Sequence, residues 1–207
     1  NFQYVTWNRA IAKNKLGLLG FDEICKILKE LLSMSQKQEL DDMHLIYYSQ
    51  TELEIIADLA QVFHKQRKYE EGIVLCESVI SQIIGGKRVL EEHVHGVSFL
   101  LRVLSSLYFA KGKYETSAKI AEYVKFIYLK RRDASALPVT LDAIADDLEH
   151  MGEQYSDEYK KLYRYTYYVS DFFGINKIVD FTRNYYEENF DDSIIWYEDY
   201  FLSISLL

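Results

Sequence analysis

The stretch Leu53 to Ile84, LEIIADLAQVFHKQRKYEEGIVLCESVISQII, decides the fold. Ile56, Leu59, Ala60 and Phe63 recur at helical spacing. The run Lys68-Tyr69-Glu70-Glu71-Gly72 then restarts the chain, and Ile73, Cys76, Val79, Ile80 and Ile83 recur at helical spacing again. Each half is a helix with one apolar stripe, so the stretch predicts two amphipathic helices joined by a turn. The pattern returns between Phe99 and Ile127: Leu101, Leu104, Ser105 and Tyr108, then Gly112-Lys113-Tyr114-Glu115, then Ala118, Ala121 and Val124. Tyr69 and Tyr114 hold the same place in the two copies, about 45 residues apart, a period that marks a helical-repeat array.

Small residues are expected where paired helices cross, because two backbones approach closely only where side chains are small. Ala60 is placed to face Gly72 and Ser105 to face Ser117, with Phe63 and Tyr108 in the bulky positions and Tyr69 and Tyr114 in the turns. This arrangement resembles the tetratricopeptide repeat. The chain departs from that family in three respects: the period exceeds the usual length of about 34 residues, Arg67 stands where the turn glycine is expected, and no proline follows the second helix. The resemblance implies an all-α fold, a right-handed superhelix of antiparallel helix pairs.

Outward from the two central pairs, Phe2 to Leu19 and Phe21 to Leu32 read as a first pair with Gly20 in its turn, and Ser33 to Gln50 as a long connection. Ser49 and Glu52 have the spacing of a capping box that opens the next helix. Gly85-Gly86-Lys87 suits a helix end. It is no phosphate loop, because the upstream glycine is missing and Arg88 follows the lysine. A fourth pair starts near Ala136, with Pro138 in its first turn. Leu141, Ile144, Ala145 and Leu148 form one stripe, and Tyr159, Leu162, Tyr163, Thr166 and Val169 the other. Ile175 to Phe190 reads as an unpaired capping helix, which an array requires. These readings divide the chain into a repeat domain over 1–190, with pairs at 2–35, 50–84, 88–132 and 136–173 and a cap at 175–190, and an apolar tail or helix at 191–207. That tail, with Ile194, Ile195, Trp196, Tyr200 and Phe201, is expected either to pack on the array or to enter a second chain.

Composition narrows the function. Of the 207 residues 49% are hydrophobic and 27% charged, as in an ordinary globular protein, and the single proline argues against an all-β fold. The formal net charge of −8 disfavours a nucleic-acid surface on this segment, since phosphate binding needs clustered Lys and Arg. Lys65-Gln66-Arg67-Lys68 and Lys130-Arg131-Arg132 lie at helix C-termini, where cations suit the helix dipole. No apolar run is long enough for a membrane span. Cys25 and Cys76 sit on apolar faces, which suits reduced thiols in a cytoplasmic protein. Asn1 opens the chain in place of methionine, and the sequence reads as a segment whose natural N-terminal part has been removed.

No catalytic motif is found. His93 and His95 are two apart, so on a helix they point to nearly opposite sides and cannot share one ion. Glu91 and His95 could, but two ligands make a weak site, so no metal or other cofactor is expected. Asp142, Asp146, Asp147 and Glu149 form a helical charge run whose plain reading is a solvated face. An enzyme is not expected.

The array itself is the functional feature, because the concave wall of stacked first helices commonly takes an extended peptide. By helical phase, the free side of each first helix carries Gln61, His64 and Lys65, then Arg102, Ser106 and Phe109, then Asp142, Asp146 and Glu149. Amide and charged groups in such a trough can hold a peptide backbone, with Phe109 as an apolar wall. Taken singly, each of these residues is equally a solvent-exposed polar position on a helix.

From Asn8-Arg9-Ala10 through the Lys68-Tyr69-Glu70-Glu71-Gly72 turn to Leu162-Tyr163-Arg164-Tyr165-Thr166-Tyr167-Tyr168, the order of parts resembles the C-terminal repeat region of Xre-type helix-turn-helix regulators of Gram-positive bacteria. The resemblance covers about Asn8 to Phe190. It implies a regulatory domain of the Rgg- and PlcR-like kind, which binds a short quorum-sensing peptide in the groove and forms a homodimer. DNA would then be contacted only through an N-terminal domain that this chain lacks. The alternative is a constitutive scaffold that dimerises or docks a protein and takes no small ligand. A repeat protein that acts as an enzyme or modulates a phosphatase stands third.

Overall fold

The computed structural model describes residues 2–35, 48–85, 93–131, 136–153 and 156–190. Among them every regular element is a helix: α1 (Phe2–Lys15), α2 (Phe21–Ser35), α3 (Gln50–Lys65), α4 (Tyr69–Gly85), α5 (Val94–Ala110), α6 (Tyr114–Arg131), α7 (Leu137–His150), α8 (Asp157–Phe172) and α9 (Asn176–Asn189). The all-α expectation holds, and within each compact unit successive helices pack on one another. The apolar tail 191–207, Glu91, and most of the long connection (36–47) lie outside the described residues.

Four of the turns share one local solution. After α1 the Gly17 amide donates to the Asn14 carbonyl and the Leu18 amide to that of Lys13, with Gly17 left-handed at φ 72°. The same pair of bonds recurs after α3 at Arg67 and Lys68, after α7 at Gly152 and Glu153, and after α8 at Gly174 and Ile175. This is the Schellman closure, which satisfies two of the orphan carbonyls at a helix end and requires a left-handed residue just past it. Arg67 performs it at φ 60°, the single non-glycine with positive φ among the described residues. The first turn differs from the sequence expectation: α1 stops at Lys15, not Leu19, and Gly17 reverses the chain, while the Gly20 amide donates to the Glu23 carboxylate at the start of α2.

Helix starts follow the sequence closely. The Ser49 hydroxyl accepts from the Glu52 amide and the Glu52 carboxylate accepts from the Ser49 amide at 2.6 Å, so the capping box is complete. The Ser156 hydroxyl caps α8 by accepting from the Tyr159 amide, and Pro138 sits in the first turn of α7.

The chain divides into two compact units, Asn1–Lys111 and Gly112–Leu207. In the first, α1 to α5 pack each on the next, and α3 also lies along α5. Its core joins Ile24 and Leu28 of α2 with Leu53, Ile55, Ile56 and Leu59 of α3, Ile73, Cys76 and Val79 of α4, and Leu100, Leu104 and Leu107 of α5, all buried. The expected approach of α3 to α4 is present: a methyl group added to Gly72 would lie 3.6 Å from the Ala60 carbonyl oxygen and 2.9 Å from Leu107 Cδ1. Gly96 is tighter still, since the same addition would fall 2.7 Å from Leu53 Cβ.

In the second unit α6, α7, α8 and α9 pack in sequence. Its core is aromatic: Tyr159, Tyr163, Tyr167 and Tyr168 of α8 meet Ala145 of α7 and Val179, Tyr186 and Phe190 on the α9 side. The sequence left these tyrosines divided between core and surface. Tyr159, Tyr168 and Tyr186 are at most 1% exposed, so they are core. The Tyr159 hydroxyl survives burial because partners reach it, Tyr185 at 2.9 Å and Glu149 at 3.1 Å.

Candidate ligand-binding wall

In the first unit the wall is the side-by-side pair α3 and α5. Gln61 and His64 are half-buried on α3, and Lys65, one residue on, is exposed. His64 bonds to the backbone of Ser106 on α5 and packs its ring against Tyr69, centroids 5.5 Å apart. Burial lowers the His64 pKa below its ordinary value; the Ser106 bond opposes this and the Lys65 charge adds to it. On α5 the Ser106 hydroxyl donates to the Arg102 carbonyl at 3.1 Å, and the Arg102 guanidinium lies over the Phe99 ring at 5.9 Å. Phe109 is half-buried one turn beyond Ser106. His64 and Ser106 are thus brought into direct contact, with Arg102 joined to them through Ser106.

Two groups on this face escaped the sequence reading. The Trp7 indole N–H of α1 donates to the Asp58 carboxylate of α3 at 2.8 Å. Burial raises the Asp58 pKa, against the Trp7 bond and the charge of Lys15 that pull it down. Asp58 precedes Gln61 by three residues and Lys65 by seven, so the phase argument that selected those two also reaches Asp58. Trp7 gave no signal of this kind, because its contact spans 51 positions of sequence.

In the second unit the three expected residues follow one another along α7. Asp142 is half-buried, while Asp146 and Glu149 have exposed faces. They act on one another: burial, then Asp142 and Glu149, push Asp146 up to about 6, and His150 opposes them. Glu149 accepts from the Tyr159 hydroxyl at 3.1 Å and from Tyr185 at 3.4 Å, and Tyr185 stacks on Tyr163 with centroids 4.7 Å apart and planes 16° from parallel. Burial raises the Tyr163 pKa, and Asp142 and Asp146 add to the rise. This face offers carboxylates beside phenol rings, a surface whose chemistry favours a cation. The first unit's face instead carries Lys65, Arg102 and an imidazole.

His93 is half-buried where α5 starts and His95 is exposed on α5; among the described residues no three potential ligands converge on a metal site. Cys76 is buried, which pushes its thiol up to about 12, and Cys25 is half-exposed. No described helix is long and apolar enough to cross a membrane.

No protein-family model matches the chain, and no curated protein does. Solved structures do. The apo form of PlcR from Bacillus thuringiensis is similar at 15% identity and a TM-score of 0.70, over 88% of this chain and 62% of that one. PlcR in complex with the peptide PapR7 and DNA is similar at 15% identity and a TM-score of 0.72, over 88% of this chain and 60% of PlcR. The nearly identical tetratricopeptide-like repeats of a kinesin light chain from Podosopora anserina match at 12% identity and a TM-score of 0.63, over 98% of this chain and 92% of theirs. The chain therefore spans about three fifths of the length of PlcR. At these identities the likeness establishes the fold alone: an all-helical, tetratricopeptide-like repeat fold, shared with PlcR and with kinesin light chain repeats.

Proposed function

We propose that the chain is the regulatory domain of a cytoplasmic helix-turn-helix transcriptional regulator, that it binds a short peptide on its first helices, and that it forms a homodimer. The observation that carries this reading is the fold shared with PlcR, which has been solved with the peptide PapR7 and DNA. DNA contact would belong to a further domain outside this sequence. Residues 1–190 would form the repeat domain, and the apolar segment 191–207 would pack on it or on the partner.

The peptide would lie against Gln61, His64, Lys65, Arg102, Ser106 and Phe109 in the first unit and against Asp142, Asp146 and Glu149 in the second. Trp7 and Asp58 extend the first of these faces. The charges suit a ligand with an acidic group or free carboxylate for Lys65 and Arg102, and a basic group for the α7 carboxylates. Occupancy would favour one conformation of the dimer over another and so alter the spacing of attached DNA-binding heads.

The second reading is a constitutive scaffold, favoured by the near-complete overlap with kinesin light chain repeats. Native mass spectrometry of the chain purified from its own host separates the two. The receptor reading expects a dimer carrying the added mass of a short peptide, lost in Arg102→Ala with the dimer retained. A dimer without added mass, whose thermal midpoint is indifferent to peptide extracts of the host, would favour the scaffold.

A further inference from the structure

Asp147 lies on the opposite side of α7 from the wall residues. It is fully buried, and both carboxylate oxygens are sealed from water. It faces α6, where the buried Ser117 side chain lies near enough to lower its pKa, while neither carboxylate oxygen has a hydrogen-bond partner. One turn away the Tyr114 ring of α6 packs on His150 of α7 at 4.8 Å. The first turn of α6 is thus held to the last turn of α7 by two contacts, Ser117 with Asp147 and Tyr114 with His150. This first turn starts directly after the division between the two units.

A carboxylate in such a place is expensive. Its charged form needs two or more donors to replace water, and one hydroxyl does not supply them. Among the described residues the charged groups that act on it are Asp146, which repels it, and His150, which attracts it, both on α7, and no cation of α6 or α8 joins them. The neutral carboxylic acid, by contrast, can donate to Ser117 and leave no charge in the interface.

We propose that Asp147 makes the α6–α7 contact a proton-operated clasp, closed when the carboxyl is neutral and loosened when it ionises. The proposal concerns the start of α6 and needs no ligand. Burial and Asp146 together raise the group to about 6 against the lowering influence of Ser117 and His150. A carboxyl whose folded value lies above its unfolded value stabilises the fold fully below the unfolded value, about 3.9, and loses that contribution as pH rises through the folded one. The clasp therefore opens progressively between about pH 4 and pH 6, the reverse of the acid loosening seen where carboxylates form ion pairs.

The test is NMR on the full chain between pH 4 and pH 7.5. It follows the Asp147 carboxyl carbon, and amide exchange from Ser117 to Ala121 normalised to intrinsic rates. In the wild type the carboxyl carbon should titrate near 6, and protection should fall about ten- to a hundredfold across the range. Asp147→Asn, which keeps the shape without the charge, should hold protection constant. Asp146→Asn should retain the fall with its midpoint moved to lower pH, because one repelling charge is gone. Ser117→Ala should move the midpoint to higher pH, because its lowering influence is lost. Titration of Asp147 near 4, or an undiminished fall in Asp147→Asn, would overturn the proposal. Should Asp147→Asn not fold, the wild-type titration and the direction of the Ser117→Ala shift decide it.

Discussion

Arg67 carries the clearest single-residue tension in the chain. The Schellman closure after α3 needs a left-handed residue, and the three other described closures place glycine there. A side chain in that region costs about 1 kcal/mol, partly offset because glycine would be freer in the unfolded chain. Arg67→Gly is expected to stabilise the protein by about 0.5 kcal/mol, seen as a higher urea midpoint at unchanged m-value. The two thiols differ for a physical reason as well. Burial holds Cys76 neutral at about 12, whereas Cys25 is half-exposed and less strongly shifted. A thiol reagent at pH 8 should modify Cys25 at least about tenfold faster than Cys76, and equal rates would place Cys76 outside the core. Arg67 was legible in the sequence as the missing turn glycine; the interplay of Trp7 with Asp58 was not, since neither residue is unusual until the chain is folded.

Helices are decided locally and their contacts are not. The capping box at Ser49 and the proline of α7 could be read directly, because such signals involve residues three or four apart. The end of α1 was misplaced for an equally local reason: Gly17 and Gly20 both permit a reversal, and the Schellman bonds choose Gly17. The contact of α3 with α5 depends on Gly96, whose hydrogen faces Leu53 Cβ and whose amide donates to the Gln50 side chain at 3.1 Å. Leu53 Cβ is close to its backbone and cannot swing aside. Gly96→Ala is therefore expected to destabilise by about 1 to 3 kcal/mol. At Gly72 the obstacle is the flexible end of Leu107, and Gly72→Ala should cost less. Comparing the two in one urea series checks both, and a larger loss at Gly72 would contradict the packing described.

At the scale of the molecule, acidity should act in an unaccustomed direction. Asp58, Asp142, Asp146 and Asp147 are all raised, each chiefly by burial. Their contributions are present below the unfolded carboxylate value and are lost as pH rises through the folded ones. The urea midpoint of the whole chain is expected to fall between about pH 4 and pH 6; a rise over that range would show that groups with depressed values dominate instead. The sequence by itself determined that this chain is helical, where most helices start, and that they recur as tetratricopeptide-like pairs, because periodicity, caps and turn residues act over a few neighbouring positions. The tertiary structure alone decided that Tyr159, Tyr163, Tyr167 and Tyr168 form a core, that His64 meets Ser106, and that Asp147 is sealed against α6 while its neighbour Asp146 is exposed. Those outcomes depend on which helix lies opposite, and side chains one residue apart on a helix look the same in sequence until a partner covers one of them.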